Sequence, residues 1–219
     1  MGGVEVTDEK GQSFLGRAGI TTLPHGVLAS RQVTFDPPLP PAKTSAIDRI
    51  STGAVAKVLL HFSERFWPRR MAHLVCGTGP VTLYWTTSFG ADGPPVLVAY
   101  ATGTRSRALS QAGPDLVPEV VLEDLARLFP KAKPRRLARD ARFVDWLTEP
   151  NASGGYTFLP PGSVGTRAAL AAANTGALIW AGAATEWNPV ADTVEAAYLS
   201  GLRAARQACT VLSGGPIPD

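Results

Sequence analysis

The stretch Ala177-Leu178-Ile179-Trp180-Ala181-Gly182 is a short apolar strand that ends in glycine, and a long helical pattern begins soon after it. This pattern runs from about Thr193 to Leu212, and its apolar face carries Val194, Ala197, Tyr198, Gly201, Leu202, Ala205 and Cys209. A helix N-terminus after a strand and a loop offers backbone N–H groups to an electron-rich oxygen or a phosphate. The alternative is a helix packed on a strand, with Asp192 or Thr193 as its N-cap and no ligand.

The upstream sequence predicts strands and helices in an α+β arrangement. We predict a β-hairpin from residues 4–7 and 18–22, a helix through Ala46, Ile47 and Ile50, and a strand over residues 54–62. Two more predicted strands, residues 81–87 and 95–101, flank a glycine-rich turn and should pair antiparallel. A helix is predicted over residues 117–129, with Val117, Val121, Leu125 and Leu128 on one face.

The length of 219 residues corresponds to about one and a half typical domains. The richest apolar stretch, residues 168–184, is interrupted by polar residues and glycine, so we predict no membrane span. The N-terminus carries no basic and apolar leader pattern, which indicates a cytoplasmic protein. The two cysteines, Cys76 and Cys209, lie far apart in sequence, and we predict neither a disulfide framework nor a metal site.

The net charge of +3 arises mostly from one basic segment, residues 131–142. Because this segment lacks interleaved aromatic residues, we interpret it as a solvated face or loop and predict no nucleic-acid partner. Lys57 is the only charge in the apolar run 54–62 and therefore needs an explanation. A lysine can reach the edge of a sheet through its flexible stem, or it can serve a site.

Several motifs occur in an order that resembles a known family. They are Phe35-Asp36-Pro37-Pro38-Leu39-Pro40, Gly53-Ala54-Val55-Ala56-Lys57, Phe66-Trp67, Trp146 with Ser153-Gly154-Gly155-Tyr156, Trp180-Ala181-Gly182, and Thr193-Val194 with Ala197-Tyr198-Leu199-Ser200-Gly201-Leu202-Arg203-Ala204-Ala205. This order is similar to the C-terminal half of the flavin-containing amine oxidases, the group that includes monoamine and polyamine oxidases. The resemblance covers nearly the whole chain.

The resemblance implies a mixed-sheet substrate domain together with part of an FAD-binding domain. It assigns residues 1–30 to an FAD-domain hairpin, 31–150 to the substrate domain and 151–219 to a return into the FAD domain. It implies non-covalent FAD, a small-molecule amine or amino acid as substrate, and imine and hydrogen peroxide as products.

The resemblance also assigns roles to single residues. Lys57 would hold a water against the flavin N5, Trp146 would lie beside the isoalloxazine, and Tyr156 would shape the substrate cage. The resemblance places seven residues at the cofactor: Trp146, Gly182, Ala183, Asp192, Thr193, Val194 and Ala197. Trp146 and Tyr156 could equally be core aromatics.

Three positions depart from the family pattern. Ala183 replaces an acidic residue, for which Glu186 is a displaced candidate, and Asp192 and Ala196 replace glycines. A carboxylate at Asp192 would repel the negative charge of reduced flavin. The family's N-terminal glycine-rich Rossmann unit is also absent. We therefore expect a separate Rossmann-bearing partner that shares the FAD. The alternatives are a fragment of a longer oxidase and a non-catalytic pseudo-oxidase that acts as a binding or scaffold subunit.

Overall fold

The computed structural model describes residues 3–173, 176–187 and 191–215. In chain order its elements are β1 (Val4–Thr7), β2 (Ser13–Gly16), β3 (Gly19–Thr21), α1 (His25–Ala29), α2 (Pro41–Arg49), β4 (Ser51–Thr52), β5 (Val55–Phe62), β6 (His73–Val75), β7 (Leu83–Thr86), β8 (Val96–Thr102), α3 (Gly103–Ala112), α4 (Val117–Leu128), α5 (Pro134–Leu137), β9 (Ala138–Asp145), β10 (Thr157–Phe158), α6 (Thr166–Ala171), β11 (Leu178–Trp180), a 3₁₀ turn (Ala183–Thr185) and α7 (Val194–Leu212). The mixture of helices and sheets confirms the α+β class. No helix among the described residues is long and apolar enough to cross a bilayer.

The chain divides into two compact units. Unit 1 comprises residues 1–52 and 157–219, and unit 2 comprises residues 53–156. Each unit buries its own cluster of apolar side chains, as expected when secondary-structure elements pack around one hydrophobic core.

Unit 2 is built on a five-stranded antiparallel sheet in the order β6-β7-β8-β5-β9. The predicted antiparallel pairing of the two strands around the glycine-rich turn is confirmed, since β7 pairs with β8. Val58, Leu60 and Phe62 of β5 point to the same face and pack against the buried side of α4. Alternation along a strand therefore leaves Lys57 on the opposite face of the sheet.

The helix predicted over residues 117–129 is α4, and Val117, Val121 and Leu125 are buried as expected. Leu128 is instead exposed, because it lies in the last turn of the helix, beyond the edge of the core. The basic segment is not a loop throughout, since it includes α5 and the start of edge strand β9. Its arginines Arg139 and Arg142 are exposed, in agreement with a solvated face.

Unit 1 contains a two-stranded parallel sheet, in which β3 pairs with β11. Ile179 and Ala181 pack on α7, while Trp180 packs with α2 and α6 in a second cluster. Helices thus cover both faces of this small sheet, which is the layer order of an α/β fold.

The predicted hairpin partner of β1 was wrong. β1 pairs with β2 at residues 13–16, whereas residues 19–21 form β3 and pair with β11 instead. The Asp8 carboxylate accepts hydrogen bonds from the backbone N–H groups of Lys10 and Gln12, each at 2.9 Å. This local turn closes the hairpin early and leaves the next residues free to pair elsewhere.

Helix α7 does not bury the face that its apolar pattern favours. Its buried residues are Ala196, Ser200, Ala204 and Gln207, while Val194, Ala197, Tyr198, Gly201, Leu202, Ala205 and Cys209 are exposed. An amphipathic helix normally turns its apolar stripe toward the core. Here the small side chains and the hydrogen-bonded Ser200 allow α7 to lie close to β11, so the larger apolar residues face outward.

Candidate active site

Lys57 is the third residue of β5 and lies opposite Tyr100 of β8 and Val144 of β9. Its side chain is half-buried on the face of the sheet that does not carry the main core. The Nζ atom lies 5.6 Å from the centroid of the Trp85 ring, which is within the range of a cation–π contact. Lys57 therefore meets an aromatic surface on its side of the sheet.

Trp85, Tyr100 and Tyr156 form that aromatic surface, which together with Lys57 is called the Lys57 face. The ring centroids of Trp85 and Tyr100 are 5.4 Å apart. Burial raises the pKa of Tyr100, and the neighbouring Tyr156 hydroxyl raises it further through charge and a hydrogen bond. The face thus presents three large rings and one ammonium group.

The sequence reasoning missed Trp85 and Tyr100. Tyr84 and Trp85 are neighbours in β7, so they point to opposite faces: Tyr84 is fully buried, and Trp85 is only half-buried. The register of β8 places Tyr100 beside Lys57. Alternation in the sequence gives the two faces of each strand, but it does not reveal which strands are adjacent.

The turn after β9 positions Trp146 and Tyr156. The backbone N–H of Trp146 donates to the backbone carbonyl of Val55 at 3.1 Å. The backbone carbonyl of Tyr156 accepts from the backbone N–H of Gly53 at 2.8 Å. Gly155 lies so close to Val55 that an added Cβ would be 2.4 Å from its Cγ2. A glycine is therefore needed for this turn to approach the strand. Trp146 is 38% exposed and Tyr156 54% exposed, so neither is a fully buried core aromatic residue.

In unit 1, Gly182 and Ala183 follow β11. Gly182 has a φ of 109°, a conformation that glycine adopts without strain, and its N–H donates to the Ser200 Oγ of α7 at 2.9 Å. Ala183 begins the 3₁₀ turn. Glu186, the candidate for the acidic residue that Ala183 replaces, is buried. Its Oε1 accepts a hydrogen bond from the backbone N–H of Trp187 at 3.0 Å.

Thr193 is the N-cap of α7, and its Oγ1 accepts from the Ala196 N–H at 3.1 Å. This resolves the choice between Asp192 and Thr193 as the capping residue. Val194 and Ala197 lie in the first turn of the helix and are exposed. The first N–H groups of an α-helix have no partner within the helix, and its N-terminus carries a partial positive charge.

Asp192 precedes this cap with a φ of 63°, the left-handed conformation that favours glycine. Its carboxylate accepts a hydrogen bond from the Thr157 Oγ1 at 2.5 Å and forms an ion pair with Arg167, whose side chain is buried. We expected this carboxylate to repel reduced flavin. The ion pair with Arg167 compensates that charge, and the backbone retains the form that a glycine would take.

The residues at the start of α7 in unit 1 fit an electron-rich group such as a flavin carbonyl. The start of α7 offers backbone donors and a positive helix end, and Arg167 neutralises the carboxylate beside it. In unit 2, considered by itself, the Lys57 face offers a cation in an aromatic setting. No group of three or more His, Cys, Asp or Glu within the described ranges could hold a metal ion.

A family model described as flavin containing amine oxidoreductase matches residues 1–209. The chain belongs to this family. It is 31% identical to polyamine oxidase 2 of Arabidopsis thaliana over 93% of its own length, and 32% identical to polyamine oxidase 4 of Oryza sativa subsp. japonica over 99%. It spans only 41% and 44% of those two relatives.

Solved amine oxidases share the fold. Cyclohexylamine oxidase from Brevibacterium oxydans IH-35A matches with a TM-score of 0.76 at 20% identity, and a wild-type putrescine oxidase bound to putrescine matches with a TM-score of 0.78 at 19% identity. Each match covers 96% of this chain and 46% of the solved chain.

Proposed function

We propose that this chain is the C-terminal part of an FAD-dependent amine oxidase of the cytoplasm, completed by a separate Rossmann-bearing subunit that shares the non-covalent FAD. The observation that carries the proposal is the placement of Lys57 against Trp85, on the face that also holds Tyr100 and Tyr156. A lysine that merely reached for solvent at a sheet edge would not need this setting, because β5 lies between β8 and β9.

The aromatic rings of the Lys57 face suit an amine with an apolar carbon skeleton. Trp85 and Tyr100 offer flat surfaces against which such a skeleton can pack and be oriented. The Lys57 ammonium on the same face disfavours a second positive charge nearby, so it lowers the pKa of a bound amine and favours the neutral form. The neutral amine is the form that can release a hydride from its α-carbon.

Lys57 has a second proposed role, in which its ammonium holds a water molecule by hydrogen bonding. At the start of α7, the backbone N–H groups of Thr193 and Val194 would bind the cofactor together with Gly182, Ala183, Asp192 and Ala197, while Trp146 would flank it. FAD, when bound, would accept the hydride from the amine and pass the electrons to oxygen, yielding imine and hydrogen peroxide.

The experiment is to co-express the chain with candidate Rossmann-bearing proteins from the same genome and to purify the complex. We expect a complex that shows the visible absorbance of oxidised flavin and releases peroxide from at least one of putrescine, spermidine and cyclohexylamine. A colourless chain with no affinity for any such protein would contradict the proposal. A flavin-loaded complex inactive toward every amine and amino acid tested would favour the pseudo-oxidase alternative.

A further inference from the structure

The sheet surface that carries Lys57 continues to an arginine of the neighbouring strand. Leu59 follows Lys57 by two residues in β5 and lies directly opposite Arg142 of edge strand β9. Because residues two apart in a strand and residues directly opposite each other share a face, Lys57, Leu59 and Arg142 lie on one surface of unit 2. Phe143, the next residue of β9, packs against the core on the other surface. Arg142 thus belongs to the same side of the sheet as Lys57.

Arg142 is an exposed cation without a counter-charge. Among the residues that the structure describes, no carboxylate forms an ion pair with it, although Asp140 lies two residues away on the same side of β9. Arg135, which is also exposed, pairs by contrast with Glu119 and Glu123. The guanidinium of Arg142 can therefore accept a carboxylate from a ligand, whose two oxygens match its parallel N–H donors.

Apolar surface accompanies the two cations. Lys57 and Arg142 are diagonal neighbours in the register, so their Cα atoms are about 8 Å apart. Lys57 Nζ inclines toward the Trp85 ring of β7, whereas Arg142 lies on the opposite side of β5, in β9. Leu59 is 38% exposed and neighbours both cations, and Val98 links it across the sheet to Trp85. The surface therefore presents an ammonium group, an apolar stretch and a guanidinium group.

This arrangement discriminates among amines. A diamine that placed one amino group at Lys57 would bring its second ammonium group toward Arg142, where like charges repel. An α-amino acid carries its amine and its carboxylate on a single carbon, which is too short a separation to serve both ends of the surface. An amine with a carboxylate at the far end of an alkyl chain matches all three parts, since its chain can pack on Leu59 and Trp85.

We propose that the preferred substrates are ω-amino carboxylates, and that Arg142 determines this preference by binding the carboxylate. The proposal rests on the proposed function, because Lys57 marks the end of the surface at which the amine is oxidised. Arg142 acts on binding alone and exchanges no proton with the substrate, since a guanidinium stays protonated in proteins.

The test measures binding to the full chain, so that it does not depend on turnover. Three ligands with the same alkyl chain are compared: 6-aminohexanoate, hexylamine and 1,6-diaminohexane. Binding is followed by the NMR signal of the Trp85 indole N–H, which is assigned by its loss in Trp85→Leu. We expect 6-aminohexanoate to bind about tenfold more tightly than hexylamine, because it adds a charge-assisted contact, and 1,6-diaminohexane to bind most weakly.

Matched variants test the role of Arg142. Arg142→Glu should reverse the order and make 1,6-diaminohexane the tightest ligand, because the charge at the far end is inverted. Arg142→Lys should keep a weaker preference for 6-aminohexanoate, since it retains the charge without the planar pair of donors. Arg136→Glu, at an exposed arginine of α5, changes the net charge as Arg142→Glu does and should leave the order unchanged.

The outcomes separate this inference from the proposed function. Equal affinities of the native chain for the three ligands, tightest binding of 1,6-diaminohexane, or an order that Arg142→Glu leaves intact would overturn the role of Arg142. If the native chain preferred 6-aminohexanoate and the flavin-loaded complex oxidised no amine, only the proposed activity would fail. If the complex oxidised all three amines with equal kcat/KM, only the substrate preference would fail.

Discussion

Arg167 forms a buried ion pair with Asp192, the residue that directly precedes the N-cap of α7. The two residues are far apart in sequence, and Thr157 donates a second hydrogen bond to the same carboxylate. Asp192 is thereby held in a left-handed conformation, with its charge compensated beside a helix N-terminus. This pair fixes the entry to α7 that the family resemblance associates with the cofactor.

Asp192→Asn should destabilise unit 1 because it leaves the Arg167 guanidinium buried without a counter-charge. We expect the free energy of unfolding to fall by about 3 kcal/mol, the usual cost of breaking a buried pair from one side. Denaturant titration measures this change. Asp48→Asn, which breaks the exposed pair with Arg31, is the control and should cost less than about 1 kcal/mol. Equal effects of the two substitutions would argue against a special role for the buried pair.

Lys43 should produce a pH dependence of stability. Its ammonium is buried, donates to the carbonyls of Leu170 and Ala172 at 2.6 and 2.7 Å, and lies 4.6 Å from the Trp180 ring centroid. Burial lowers the pKa of Lys43 from 10.5 to about 8, and the nearby charge of Arg203 adds to this effect. Between these two values the unfolded chain binds more protons than the folded chain, so the contribution of Lys43 to stability rises with pH.

The test compares unfolding free energies of the native chain and Lys43→Met from pH 7 to pH 10.5. Above about pH 8, the free energy of unfolding of the native chain should rise relative to that of Lys43→Met, by up to about 3 kcal/mol. Lys131→Met, at an exposed lysine, controls for the change in net charge. If the free energies of unfolding of the native chain and Lys43→Met differed by the same amount at every pH, burial would not lower the pKa of Lys43.

The sequence predicted the elements better than their partners. The strand 54–62, the helix 117–129 and the final strand and helix all form near their predicted bounds, because apolar periodicity and proline mark them locally. The pairing of β3 with β11 joins residues about 160 positions apart, which no local pattern indicates. The exposed stripe of α7 also contradicts its pattern, because hydrophobicity marks a surface to be covered without saying by which polypeptide.

In the candidate site too, the sequence indicated single residues but not which residues lie beside them. Family motifs led to Lys57, Trp146 and Tyr156, but the roles of these residues stay predictions. Trp85 and Tyr100 lie in strands with no recognised motif, and only the sheet register brings them to Lys57. The Arg167–Asp192 pair could not be foreseen either, since it depends on the fold of unit 1.

Trp85→Leu should weaken amine binding in the flavin-loaded complex. Removing the ring deletes the flat surface that packs the carbon skeleton, so KM should rise about tenfold while kcat changes less. Oxygen consumption against amine concentration measures both constants. Phe89→Leu, at an exposed aromatic residue of the β7–β8 loop, should leave KM unchanged. An unaltered KM in Trp85→Leu would remove this ring from the substrate surface.

The most direct test of the central claim is a stopped-flow comparison of the flavin-loaded complex with its Lys57→Met variant. Amine is added without oxygen to bleach the visible flavin absorbance, and oxygen is then mixed in to restore it. We predict bleaching by amine in both proteins and a recovery in Lys57→Met that is slower by about a hundredfold, since the ammonium and the water that we propose it holds are lost. Recovery at the native rate in Lys57→Met, or no bleaching of the native complex by any amine, would contradict the account.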